Sequence, residues 1–147
     1  MAPMLMRMHM HVHLCMHVTW SGGKTGVDGH AGGTLAGCND VALVKVEIVD
    51  KDGLVVPNAA ENVTLTWEDG LAYLGGGNGD PASHVADKSA VRAAFHGLLL
   101  GVFGSTSHAG AFKVSASAPG LASATLTVDA KPPGSPTWWC DPSLARL

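Results

Sequence analysis

Apolar and polar side chains alternate with period two through most of the chain between residues 42 and 128, and this commits the region to half-buried strands. In VALVKVEIV, Ala42, Val44, Val46 and Ile48 fall on one face, while Lys45 and Glu47 fall on the other. NVTLTW places Val63, Leu65 and Trp67 inward against Asn62, Thr64 and Thr66. AFKVSAS sets Phe112, Val114 and Ala116 opposite Lys113, Ser115 and Ser117. LASATLTV alternates Ala122, Ala124, Leu126 and Val128 with Ser123, Thr125 and Thr127. LVVP and LAYL add short apolar runs, the first ended by Pro57. Between these segments stand turn signals: DKDG at 50–53, Glu68-Asp69-Gly70 and Pro119-Gly120. Short alternating strands with such punctuation predict an antiparallel sandwich, and no long helix is predicted. VADKSAVRAAF, 85–95, reads as a turn or two of helix or as an ordered loop.

One run breaks the alternation. AAFHGLLLGVF, 93–103, read as one strand, is apolar on both faces, with Phe95, Leu99 and Phe103 on one and Leu98, Leu100 and Val102 on the other. A sandwich strand meets the core with a single face. The second face therefore needs a cover, either the long 75–92 loop or a neighbouring domain.

The ends differ from this middle. Residues 1–33 read as an irregular or disordered extension rich first in His and Met and then in Gly, and 131–147 as a Pro-rich tail, leaving 34–130 as one domain. Four histidines interrupt what would be the apolar stretch of a signal peptide, and no run approaches the ~20 apolar residues of a membrane span. The three cysteines, Cys15, Cys38 and Cys140, are an odd number without CxxC spacing, so at most one bridge is available. Residues 40–130 hold ten acidic and five basic residues, with no basic patch. Nucleic acid and anionic membrane surfaces are excluded as partners on that ground.

Candidate chemistry is sparse. Gly23-Lys24-Thr25 would need a glycine at 18 to be a phosphate loop, and 18 is Val. In an extended chain His9, His11 and His13 point the same way, beside the soft ligands Met8, Met10, Cys15 and Met16. These are candidate ligands for copper or zinc, but a non-native or fragmentary chain start explains them more plainly, and no metal or other cofactor is assigned. Ser83-His84 are chain neighbours and not a nucleophile and base brought together by folding. The three glutamates, Glu47, Glu61 and Glu68, lie on a polar strand face or near strand ends, with no cleft between two of them for glycoside chemistry. The Asn62-Val63-Thr64 sequon falls in a predicted strand and reads as a chance occurrence. GGGNGDPASH, 75–84, contains the turn pairs Asn78-Gly79 and Asp80-Pro81 and is a long inter-strand loop, of the kind that is either functional or packed on a partner.

The succession DVALVKVEIVDKDGLVVPNAAENVTLTW, LGGGNGDPASH, KSAVRAAFHGLLLGVFGST and AGAFKVSASAPGLASATLTV resembles the C-terminal immunoglobulin-like domain of glycoside hydrolase family 2 proteins of the β-galactosidase type, over about residues 34–130. The last of these segments also resembles bacterial invasin-type immunoglobulin-like domains. The resemblance implies an all-β, immunoglobulin-like antiparallel β-sandwich of about seven strands with irregular N- and C-terminal extensions. It implies a non-catalytic accessory domain whose partner is the catalytic barrel, in the parent chain or in trans, so that this chain alone is not an enzyme. It places Asn78, Gly79, Asp80, Ser83 and His84 in a characteristic loop, for interdomain contact or a ligand, and makes Phe95, Leu99 and Phe103 the docking face. The alternative is a free-standing immunoglobulin-like module binding carbohydrate or protein.

Overall fold

A computed structural model describes residues 12–20, 34–36 and 40–132. Nine strands are formed among them: β1 (His13–Trp20), β2 (Thr34–Leu35), β3 (Val41–Val49), β4 (Asn62–Trp67), β5 (Leu71–Gly77), β6 (Val91–Ala93), β7 (Leu98–Ser105), β8 (Gly110–Ser117) and β9 (Ala124–Lys131). They make two sheets, of order β1-β3-β7-β5 and β2-β9-β8-β4-β6. Every pairing is antiparallel except the two-residue contact of β2 with β9. The all-β sandwich expected from the alternation is therefore present, and among the described residues no helix is long enough or apolar enough to cross a membrane.

The inward residues of the alternating strands form the core. Val44, Val46, Ile48, Val63, Leu65, Val114 and Val128 are buried between the sheets, where removal of apolar surface from water supplies the main driving force. Phe103 is fully buried at the centre of an aromatic cluster. Its ring centroid lies 5.8 Å from Trp67 and 5.3 Å from Tyr73, and Trp67 stacks on Tyr73 at 5.0 Å. Trp67 itself is only half-buried.

Strand β1 corrects the expectation of an irregular segment throughout 1–33. His13–Trp20 pairs with β3 in unbroken register from His13 opposite Val49 to Trp20 opposite Ala42. Leu14 is buried in the core and Met16 packs against it. The His/Met alternation that suggests metal ligands is also a period-two strand signal, and here its apolar residues Val12, Leu14 and Met16 are what the sandwich uses.

The second correction concerns 93–103, which is not one strand. The chain leaves the five-stranded sheet after β6, turns at His96-Gly97, and enters the four-stranded sheet as β7. Phe95 and Leu98 exchange both backbone hydrogen bonds at 3.0 Å, and the two residues between them have φ of 52° and 75°. Positive φ at both central residues is the geometry of a type I′ turn, with His-Gly standing where Asn-Gly is common. The turn is anchored from below: Gly97 N–H donates to Ala59 O, Gly97 O accepts from Ile48 N–H, and His96 Nδ1 lies 3.1 Å from Pro57 O. A Cβ on Gly97 would stand 2.6 Å from Val56 O. Gly97→Ala therefore combines an unfavourable φ with a backbone clash, and we expect it to cost about 1–3 kcal/mol in urea unfolding, whereas Gly53→Ala, with φ of 80° but open space around it, loses only the conformational part.

The turn after β3 shows why DKDG was legible. Asp50 Oδ1 accepts from Asp52 N–H at 2.9 Å and from Leu54 N–H at 3.0 Å, the side-chain-to-backbone pattern for which Asp is favoured in turns. The bond from Leu54 is the main reason the Asp50 carboxyl sits below its ordinary value of 3.8. A depressed folded-state value means this contribution is complete above the ordinary carboxylate range and is lost as pH falls through the lowered value. We expect the urea midpoint of Asp50→Ala to fall less than that of the wild type on going from about pH 5 to about pH 3.

Candidate loop and docking surface

The chain from Gly75 to Val91 crosses from the edge of one sheet to the edge of the other, and its shape is set by its own polar side chains. Gly79 takes φ of 79°, and Asn78 Oδ1 accepts from Asp80 N–H at 3.1 Å. Asp80 Oδ1 in turn accepts from Ala82 N–H at 2.9 Å, and Asp80 O from Ser83 N–H at 3.1 Å. These are consecutive Asx-type turns, the mechanism behind the N-G and D-P signals. The loop is then tied to the sandwich. Asn78 Nδ2 donates to Ala93 O in β6 at 2.9 Å, Gly76 N–H to Asp87 O at 2.8 Å, and the Tyr73 hydroxyl to Ser89 O at 3.1 Å. Burial is the leading cause that pushes the Tyr73 hydroxyl above its ordinary value of 10.0, so it is a neutral donor at any physiological pH.

Arg92 completes the arrangement. It stands opposite Val63 in the β4–β6 register, so its side chain shares the inward face, and only 5% of it is exposed. Its Nη2 donates to Ala86 O at 2.9 Å and Val85 O at 3.3 Å, with Asp87 Oδ1 at 4.0 Å. Its Nε is buried with no partner. Sequence reasoning placed Arg92 in a matching segment but assigned it no role. The available signal was a cation at an inward position of a small-residue run, Val91-Arg92-Ala93-Ala94.

The loop residues singled out from the sequence divide accordingly. Asn78, Gly79 and Asp80 build the loop, Ser83 is half-buried and contributes its amide, and His84 is exposed. Ser83 and His84 form no nucleophile–base pair. Glu47 pairs with Lys45 at 2.9 Å, and Glu68 accepts from Lys113 N–H at 2.8 Å, so both are occupied in the sandwich itself. His9 and His11 lie outside the described residues, and His13 is a β1 residue. Among the described residues no three His, Cys, Asp or Glu side chains converge as a metal site.

The docking face read from the sequence is corrected by the burial pattern. Leu99 and Phe103 point into the sandwich and belong to its core, and Phe95 is half-buried beside the turn. The outward residues of β7 are Leu98, Leu100 and Val102, so any docking surface on this strand uses the opposite set. Both faces are apolar, and period two alone does not say which one the core takes.

The described strands thus form a two-sheet antiparallel sandwich whose sheet edges are joined by a loop held by its own side chains. Residues 31–127 match glycoside hydrolase family 2 C-terminal domain 5, and the chain belongs to that family. It is 33% identical over 92 residues to the β-galactosidase BoGH2A of Bacteroides ovatus, a match covering 63% of this chain and 11% of that protein. A β-glucuronidase of family 2 shares 27% identity with a TM-score of 0.66, over 82% of this chain and 11% of its own. A β-glycosidase of Bacteroides vulgatus, at 18% identity and a TM-score of 0.68, covers 80% of this chain and 14% of its own and shows the shared fold. The chain thus spans a small C-terminal share of these enzymes, and the region matched is not their catalytic part.

Proposed function

We propose that the chain serves as a non-catalytic accessory domain of a family 2 glycosidase of the β-galactosidase type, packing beside a catalytic barrel carried in the parent chain or in trans. The observation that carries this reading is the 33% identity to 11% of the length of a β-galactosidase, confined to a C-terminal domain. The structure is consistent with that role: Glu47 and Glu68 are engaged within the sandwich, Glu61 is exposed, and Asn78 and Asp80 of the loop bond the loop's own backbone and β6.

The test is the size of the species in which the chain occurs. An antibody raised against residues 40–130 should detect, in native extract of the producing cells, a species of multidomain-hydrolase size that contains a family 2 barrel by mass spectrometry. A band only at the size of the chain itself would overturn the reading. It would favour the alternative, a free-standing carbohydrate- or protein-binding module, for which the Asp80–His84 segment, exposed at Pro81, Ala82 and His84, is the supporting feature. In that case binding on a glycan or protein array should be lost with Asp80→Ala and His84→Ala together.

A further inference from the structure

The two outer faces of the sandwich differ in chemistry. On the five-stranded sheet the outward positions of β4, β8 and β9 carry Thr66, Ser117, Thr125, Thr127 and Lys113, and Ser115 and Thr125 hydrogen-bond across the strands at 2.9 Å. That face is predominantly polar. On the four-stranded sheet, Leu98 and Leu100 are each 37% exposed and Leu74 is 47% exposed. Leu74 lies over Gly104, as a Cβ there would stand 3.3 Å from it, and Val102 and Leu43 are paired between these leucines. The one charged pair described among them, Lys45 and Glu47, is joined at 2.9 Å and adds no net charge. The result is a leucine-rich strip along β7 and β5, bordered on β3 by the Lys45–Glu47 pair that stands opposite Leu100 and Leu98, and such an apolar strip is the type that marks an interaction site.

We propose that this outer face of the four-stranded sheet, centred on Leu98, Leu100 and Leu74, is the surface that seats the domain on the remainder of its parent glycosidase. The proposal depends on the accessory-domain reading above. The relatives support this occupant: the matching segment is 11% of a much longer chain, so most of such a protein lies outside this domain and is available to cover the face. The neutral character of the face fits an apolar protein surface and not an anionic or phosphorylated partner. Leu99 and Phe103 act on the other side of the same strand and hold β7 rigid beneath the contact.

Hydroxyl-radical footprinting read by mass spectrometry tests this on the isolated full chain and on the large species recovered from native extract. We expect Leu98, Leu100 and Leu74 to oxidise several-fold more slowly in the large species than in the isolated chain, with Leu54, exposed on the β3 turn, unchanged. If a species containing the family 2 barrel is recovered and these leucines react as fast as in the isolated chain, the face is wrong while the accessory-domain reading stands. If they are already shielded in the isolated chain, another segment of the chain covers the sheet and the inference is overturned. If no such species exists, the accessory-domain reading fails and this inference with it.

Discussion

Phe103→Ala is expected to destabilise the domain by about 3–5 kcal/mol, the range for removing a large buried aromatic side chain. The ring is fully buried and touches both Trp67 and Tyr73, so truncation leaves a cavity where aromatic contacts bridge the two sheets. A domain of this size has about 5–15 kcal/mol in total, so the variant is at best marginally folded. Trp67→Ala removes a larger ring from a half-exposed position and should cost less, about 2 kcal/mol. Urea unfolding followed by circular dichroism ranks the two without relying on tryptophan emission. If Trp67→Ala proved the costlier, the core would be centred on β4 and not on β7, contrary to the burial described here.

Arg92→Ala is expected to cost about 2–4 kcal/mol, through loss of two charge-assisted hydrogen bonds and of a buried side chain. The informative comparison is Arg92→Met. A buried cation replaced by an apolar chain of similar length is often nearly neutral for global stability. Its bonds to Ala86 O and Val85 O nevertheless hold the loop, whose backbone is otherwise largely solvent-facing. We therefore expect Arg92→Met to unfold at nearly the wild-type urea midpoint, while the Ser89 and Gly76 amides, bonded to Ala86 O and Asp87 O, exchange about tenfold faster, equivalent to about 1.4 kcal/mol of local opening. Unchanged exchange at both amides would show that the loop is held without Arg92, by the bonds of Tyr73, Asn78 and Asp80. Asp87 is 94% exposed and 4.0 Å away, so Asp87→Ala should shift stability by less than about 0.5 kcal/mol.

The strands that alternate cleanly were legible because a period of two depends only on neighbouring residues. Val44, Val63, Val114 and Val128 are buried as their patterns required, and the Asp50 and Asn78 turns follow from side chains bonding their own backbone two residues on. The N-terminal strand was missed because histidine and methionine at alternate positions suggest ligand chemistry before they suggest packing. The site was legible as a loop but not as a mechanism of fixation, since Arg92 acts on carbonyls six and seven residues away through a buried guanidinium.

Taken residue by residue, the chain determined that it is all-β, where most strands run and which turns carry their own caps, because these depend on local alternation and local hydrogen bonds. Tertiary structure decided where 93–103 breaks: His96 and Gly97 turn because Val56, Pro57 and Ala59 fix them from below. It also decided which side of β7 faces inward. With leucines on both faces, local pattern is silent, and the choice falls to Phe103, whose ring alone on that strand can reach Trp67 and Tyr73 and close the sandwich.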